Sequence, residues 1–348
     1  MLIEEKIKLI NDVFAPKTGE KVLFLVDIPH NNIEDNKKWF NRREMAKDWF
    51  KLFNKIGEEK EFSVDLKEFY ATGTHNTPIP AEIINEIKNS NLVIAMTEYS
   101  ASSSLLFVIQ TDNQITRAVS MPQVEKRMEK TAFKADYTKV KRYAKALKDM
   151  LNNAVGAKIN FSTGDSLYID LRYRTAFSEA GECTHPGQFI NFPSGESCKV
   201  PYEATSEEVE KYGKSKTKGV LPVMYDNELV KYVIENNRII EIIGAGKKAK
   251  EMTAFFKYKP SRSNIAELGI GCNPEAIVTG NVLEDEKVGL HIAYGTSTHL
   301  KGKIESDTHQ DIVYAKDCPV EGTSLTLINK DGSQIELITN SMLRYDLL

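Results

Sequence analysis

The chain has 348 residues, with 46 lysines and arginines against 49 aspartates and glutamates, which gives a formal net charge of -3. This length predicts two domains or one large one, and the dispersed, nearly balanced charge argues against nucleic-acid binding. The charged amphipathic start and the lack of a long apolar run argue against a signal peptide or a membrane span, so we expect a cytoplasmic protein.

The first 130 or so residues alternate between strand-like and helix-like patterns. A continuous apolar run at residues 21–27 suits a strand buried on both faces, and helical spacing follows at residues 39–55. Further strands are predicted at residues 63–69 and 91–96, with a helix at residues 80–88. This alternation predicts a parallel sheet covered by helices. The turn after the first strand contains no glycine, which excludes a dinucleotide-binding fingerprint there.

The pattern changes in the second half of the chain. A strong helical period at residues 136–154 predicts a bridging helix, and period-two patterns follow. The predicted strands lie at residues 157–162, 166–172, 219–224, 229–235, 238–244 and 324–328, with a helix near 246–257. We therefore predict an α/β protein with a small α/β N-terminal domain, residues 1–135. A larger α+β C-terminal domain, residues 136–348, would carry a metal site on a mainly antiparallel sheet.

Histidine is concentrated in one segment. Three of the six histidines, His291, His299 and His309, lie within residues 284–311, among several carboxylates. Imidazole and carboxylate are ligands for zinc, iron, cobalt and manganese, and they also serve as general acids and bases. In a strand, His309 and Asp311 would point to the same face, so both could reach one ion.

Two glutamates upstream extend this set. Glu196 follows a Pro-Ser-Gly turn, and Glu267 lies in an apolar run rich in glycine. A buried carboxylate must be paired, protonated or bound to a metal, so Glu267 requires an explanation. Each residue alone also fits a structural role. Glu196, for example, could be a solvated glutamate in a loop. Together with the histidines they suit a dinuclear site, in which two ions share a carboxylate and lower the pKa of a bound water.

Four motifs, FPSGE, AELGIGCNP, EDEKVGLHIAYG and THQD, occur in this order. They resemble those of the thermophilic metalloaminopeptidases of the aminopeptidase T and S type. The resemblance implies a homodimeric hydrolase that releases N-terminal residues from peptides through water activated by two divalent ions of zinc, cobalt or manganese. It implies as metal ligands Glu196, Glu267, His291, His309 and Asp311. Glu286, five positions before His291, would act as a general base or support a ligand.

The sequence also departs from that family. Its members commonly carry a tyrosine seven positions after the first histidine, where this chain has Thr298 followed by His299. His299 is therefore a candidate for proton transfer. The same superfamily includes dihydroxypyridine dioxygenases, which hold a single Fe(II) with two histidines and an aspartate, a set that His291, His309 and Asp311 could supply.

The presence of both Glu196 and Glu267 favours the dinuclear hydrolase over that alternative, because a mononuclear site would not need them. The ring-cleaving dioxygenase is the second hypothesis. A non-catalytic homologue that binds a metal or a small molecule is the third.

Overall fold

A computed structural model describes residues 1–111 and 115–348. The described chain divides into two compact units. The first unit comprises Met1–Lys141, Gly181–Ser194 and Pro274–Ala276, and the second comprises Arg142–Ala180, Gly195–Asn273 and Ile277–Leu348. None of the helices in these ranges is long and apolar enough to cross a membrane.

The helices and strands are numbered here along the chain. The helices are α1 (Ile3–Leu9), α2 (Lys37–Lys60), α3 (Ala81–Lys88), α4 (Ser102–Gln110), α5 (Tyr137–Asn153), α6 (Ser206–Tyr212), α7 (Lys247–Tyr258) and α8 (Val282–Asp285). The strands are β1 (Lys21–Ile28), β2 (Ser63–Tyr70), β3 (Leu92–Ala95), β4 (Arg117–Ser120), β5 (Ala154–Phe161), β6 (Ser166–Asp170), β7 (Ala176–Glu179), β8 (Phe189–Asn191), β9 (Glu196–Lys199), β10 (Lys218–Tyr225), β11 (Glu228–Glu235), β12 (Arg238–Ile243), β13 (Ile265–Gly271), β14 (Leu290–Gly295), β15 (His309–Val313), β16 (Gly322–Asn329), β17 (Gln334–Thr339) and β18 (Met342–Leu343).

The first unit is built on a parallel sheet in the order β2-β1-β3-β4-β8. The apolar run of β1 is buried, as expected for a strand covered on both faces. The sequence analysis did not predict β4, which begins with Arg117. That guanidinium is buried and bonded to both carboxylate oxygens of Glu20, at 2.8 and 2.7 Å. Strand β8 comes from the second half of the chain and completes the sheet beside β4.

The second unit contains two antiparallel sheets. The larger has eight strands in the order β12-β11-β10-β6-β5-β16-β17-β18, and the smaller has five in the order β15-β14-β13-β9-β7. Both contribute apolar side chains to one core, which includes Ile159 of β5, Leu268 of β13 and Ile292 of β14. The predicted fold class, with a parallel first half and a mainly antiparallel second half, is confirmed. We call the five-stranded sheet the site sheet.

Candidate metal centre

The site sheet has one apolar and one polar face. Side chains alternate along a strand, so Leu268 and Ile270 enter the core of the second unit while Glu267, just before Leu268, points to the opposite face. On the neighbouring strand, Ile292 is in the core and His291 is on the polar face. This alternation explains how a glutamate and a histidine come to lie inside apolar runs of the sequence.

Strand register brings the polar residues into adjacent rows. Glu267 of β13 pairs with Ala293 of β14, and Ala293 pairs on its other side with Asp311 of β15. In the next row, Gly295 of β14 pairs with His309. Strand β14 therefore carries small residues, Ala293 and Gly295, beside the ionisable residues of its neighbouring strands. This leaves space above the sheet for the ionisable side chains.

Gly269 has a specific steric role in this arrangement. It pairs with His291, and a Cβ atom placed on Gly269 would overlap the imidazole ring of His291. A side chain at this position would have to displace the ring or the strand. The glycine therefore lets His291 lie across the sheet with its Nε2 atom facing the carboxylates.

The polar atoms lie at, or slightly beyond, the separation of two ligands that bind one cation. His291 Nε2 lies 3.5 Å from Glu267 Oε1, and His309 Nε2 lies 3.3 Å from Glu267 Oε2. His309 Nε2 is also 3.6 Å from Asp311 Oδ1. Two ligand atoms that bind one ion at about 2.1 Å are separated by about 3.0–3.4 Å at ordinary coordination angles.

One buried carboxylate oxygen in this group also indicates a bound cation. Glu196 Oε2 makes no hydrogen bond to any residue that the structure describes, although His291 Nε2 is 3.4 Å away. A buried carboxylate oxygen left without a donor is costly, and a bound cation would satisfy it. The residues present therefore fit a metal ion.

Both imidazoles are oriented by the backbone. His309 Nδ1 lies 2.8 Å from the carbonyl oxygen of Thr296, to which it can donate, and His291 Nδ1 faces the carbonyl of Gly289 at 3.4 Å. A protonated Nδ1 leaves the lone pair of Nε2 free, which is the arrangement that metal-binding histidines adopt. In both residues Nε2 points to the carboxylates.

His299 lies beside this group on a short helical turn, Thr298–Leu300. Its ring is 4.5 Å from that of His309, centroid to centroid, at an interplanar angle of 86°. Glu267, His299 and His309 form a set whose ligating atoms all lie within 4.8 Å of one another, so His299 could itself reach an ion held there.

A buried glutamate holds the loop that carries His299. Glu203 accepts hydrogen bonds from the backbone N–H groups of Lys303 and Ile304, at 2.8 and 3.1 Å, and from the hydroxyl of Ser297. The guanidinium of Arg174, 2.9 Å away, balances its charge. The sequence analysis missed this role, because a glutamate that binds backbone N–H groups has no local motif.

A lysine also lies within the cluster. Lys287 Nζ is 2.6 Å from Glu196 Oε1, 2.8 Å from Glu286 Oε1 and 3.1 Å from Glu179 Oε2. Burial raises the pKa of Glu286 and that of Glu179 to about 7, against the opposing charge of the lysine. Burial disfavours charge on His291, but its contact with Glu267 and the charge of Glu196 raise its pKa to about 10. These groups therefore hold protons readily, and a bound cation would displace some of those protons.

The structure thus brings together every candidate site residue identified in the sequence, namely Glu196, Glu267, Glu286, His291, His299, His309 and Asp311. The sequence analysis missed Lys287 and Glu179. Lys287 lies in the charged run Glu-Asp-Glu-Lys, a pattern that is typical of a solvated surface. Glu179 is identified only by the strand register, which pairs it with Glu196.

Comparisons with known proteins bear on the chemistry. Residues 53–321 match the family NicX, 2,5-dihydroxypyridine 5,6-dioxygenase. Among solved structures, the chain resembles 2,5-dihydroxypyridine dioxygenase from Pseudomonas putida KT2440 with a TM-score of 0.69 and 16% identity, over 98% of this chain and 96% of that one. It also resembles wild-type AmpT from Thermus thermophilus with a TM-score of 0.62 and 13% identity, over 98% of each chain. No curated protein matched.

These findings correct the expected activity. The match over residues 53–321 is to a dioxygenase family, and of the two structures the dioxygenase is the more similar, so the assignment as an aminopeptidase, protease or hydrolase is wrong. The assignment failed because the motifs describe a set of ligands on a sheet face. Such a set can serve different reactions on one fold. The similarity to both solved structures shows a shared fold.

The role of Gly269 can be tested by adding one methyl group. We expect Gly269→Ala to weaken the binding of Co²⁺ by about 10- to 100-fold, because the new Cβ displaces His291. Gly289→Ala is the matched control, since a Cβ there makes only ordinary contact with Ala315, at 3.4 Å. Competition against a chelating dye gives both affinities. Equal affinities for Gly269→Ala and the unaltered protein would contradict the steric argument.

Proposed function

Since the chain belongs to the NicX (2,5-dihydroxypyridine 5,6-dioxygenase) family, we propose that it binds one Fe(II) ion and uses molecular oxygen to cleave a dihydroxylated aromatic ring. The observation that carries the proposal is that strand register places His291, His309 and Asp311 on one face of the site sheet, with His309 Nε2 3.6 Å from Asp311 Oδ1. A set of two histidines and one carboxylate leaves coordination positions open for substrate and oxygen.

We assign His291, His309 and Asp311 as the iron ligands. His309 and Asp311 are two residues apart on β15, and His291 is on the adjacent strand β14, so regular backbone fixes their spacing. Glu267 faces both imidazoles, one carboxylate oxygen to each. It can hold them by hydrogen bonding when the metal is absent and accept a hydrogen bond from a substrate hydroxyl when it is present.

When bound, Fe(II) would supply the one-electron chemistry that lets an aromatic ring react with oxygen. The protein's own residues would position the ring. Ala293, which pairs with Glu267 on one side and Asp311 on the other, has a small side chain, so a planar ring can approach the ligands there. His299, held beside His309 by its anchored loop, can receive a proton from a ring hydroxyl.

The activity is tested with protein purified without oxygen and loaded with Fe²⁺. On exposure to oxygen with 2,5-dihydroxypyridine or related dihydroxylated rings, we expect consumption of about one O₂ per ring and loss of the ring's ultraviolet absorbance. His309→Ala and Asp311→Asn should lose most of the bound iron and the activity. His185→Ala, an exposed histidine of the first unit, should keep both.

Two results of this experiment would reject the proposal. One is iron-loaded protein that consumes no oxygen with any dihydroxylated ring of the panel. The other is full activity in His309→Ala or Asp311→Asn. If Asp311→Asn retained iron and Glu267→Gln lost it, the carboxylate ligand would be Glu267 and not Asp311.

His299 is tested separately from the iron ligands. We expect His299→Ala to bind Fe²⁺ as the unaltered protein does but to lower kcat by about 10²- to 10⁴-fold, the usual contribution of a proton-transfer group. Thr298→Ala, one residue away on the same turn, is the control. Loss of iron in His299→Ala would make His299 a ligand instead, and unchanged kcat would remove it from the reaction.

A further inference from the structure

The Lys287 ammonium is fully buried and enclosed by carboxylates. Its side chain has no exposed surface, and its Nζ atom contacts Glu196, Glu286 and Glu179 at 2.6, 2.8 and 3.1 Å. An ammonium has three N–H donors and no acceptor, so these three oxygens can use all of them. Lysine is almost never fully buried unless it is paired in this way.

The three carboxylates converge from separate parts of the second unit. Glu179 and Glu196 are directly opposite each other in the register of β7 and β9, and Glu286 follows α8. Like charges directly opposite each other on a sheet repel, so this pair needs a cation between its members. Without the lysine, three converging carboxylate oxygens form the kind of site that a divalent cation occupies.

Glu196 connects the lysine to the metal centre. Its Oε1 atom binds Lys287, while its buried Oε2 atom has no hydrogen bond to a described residue and lies 3.4 Å from His291 Nε2. One carboxylate thus faces the ammonium on one side and the metal ligands on the other. A carboxylate shared by two metal ions has this arrangement.

We propose that Lys287 fixes the number of metal ions at one, because its ammonium takes the place among Glu179, Glu196 and Glu286 that a second divalent ion would otherwise fill. This inference depends on the proposed function only for the presence of the first ion. It does not depend on which reaction the protein catalyses. It also accounts for both Glu196 and Glu267 in a mononuclear site. Glu196 pairs with the lysine, and Glu267 pairs with the two histidines.

The experiment counts metal ions after the ammonium is removed. Mn²⁺ alone is the probe, measured by equilibrium dialysis and by electron paramagnetic resonance, which separates isolated Mn²⁺ from a spin-coupled pair. We expect about one Mn²⁺ per chain in the unaltered protein and about two, with a coupled spectrum, in Lys287→Met and Lys287→Gln.

The control is another buried lysine of the same unit. Lys199 on β9 binds the backbone carbonyls of Leu151 and Ala154 at 2.7 and 3.0 Å. Lys199→Met therefore removes a buried ammonium without opening a carboxylate site, and should bind about one Mn²⁺. Lys287→Met combined with Glu286→Gln removes one carboxylate of the new site. It should bind the second ion at least about tenfold more weakly than Lys287→Met alone.

Three outcomes would overturn the inference. One is about two ions in the unaltered protein, with Lys287 in place. Another is about one ion in Lys287→Met and Lys287→Gln that have folded, as judged by circular dichroism. The third is failure of both variants to fold even with Mn²⁺ present, because a second ion should replace the ammonium. If the unaltered protein binds one ion but consumes no oxygen, the proposed function fails and the metal count stands.

Discussion

Negative charge on one face of the site sheet is the constraint on which the second unit depends. The carboxyl groups of Glu179, Glu196 and Glu286 surround the ammonium of Lys287 there, and those of Glu267 and Asp311 lie beside imidazoles. Burying a charge costs several kcal/mol unless it is paired, so this face needs cations as a condition of folding. The lysine supplies one of them. A metal ion between the imidazoles and carboxylates would supply the other. The stability of the sheet would then depend on the ion that its chemistry requires.

The sequence predicted residues that the structure brings together on the site sheet, because several of them lie on regular strands. His309 and Asp311 are two residues apart, so a strand sets both on one face. Glu267 was identified because a carboxylate in an apolar run has to be paired or bound to a metal. For the same reason the apolar run of β1 and the helical period of α5 predicted those elements closely, since one repeat along the chain determines which side is buried.

The remaining features depend on contacts between distant parts of the chain. Glu179 joins the cluster only through its register with Glu196, and Glu203 acts on a loop about a hundred residues later. Lys287 looked like a surface charge, although it is fully buried. The reaction was misassigned for a related reason. The motifs indicate candidate ligands but not the contacts around them. Lys287 lies within the motif EDEKVGLHIAYG, and its contacts with Glu179 and Glu196 appear only in the folded chain.

The central claim is that this chain oxygenates a ring and does not hydrolyse a bond. Labelling decides it most directly: iron-loaded protein is given 2,5-dihydroxypyridine under ¹⁸O₂ in ordinary water, and the product is analysed by mass spectrometry. We expect an opened ring that carries both atoms of the labelled oxygen. A product without the label, or an intact ring in the presence of bound iron, would contradict it.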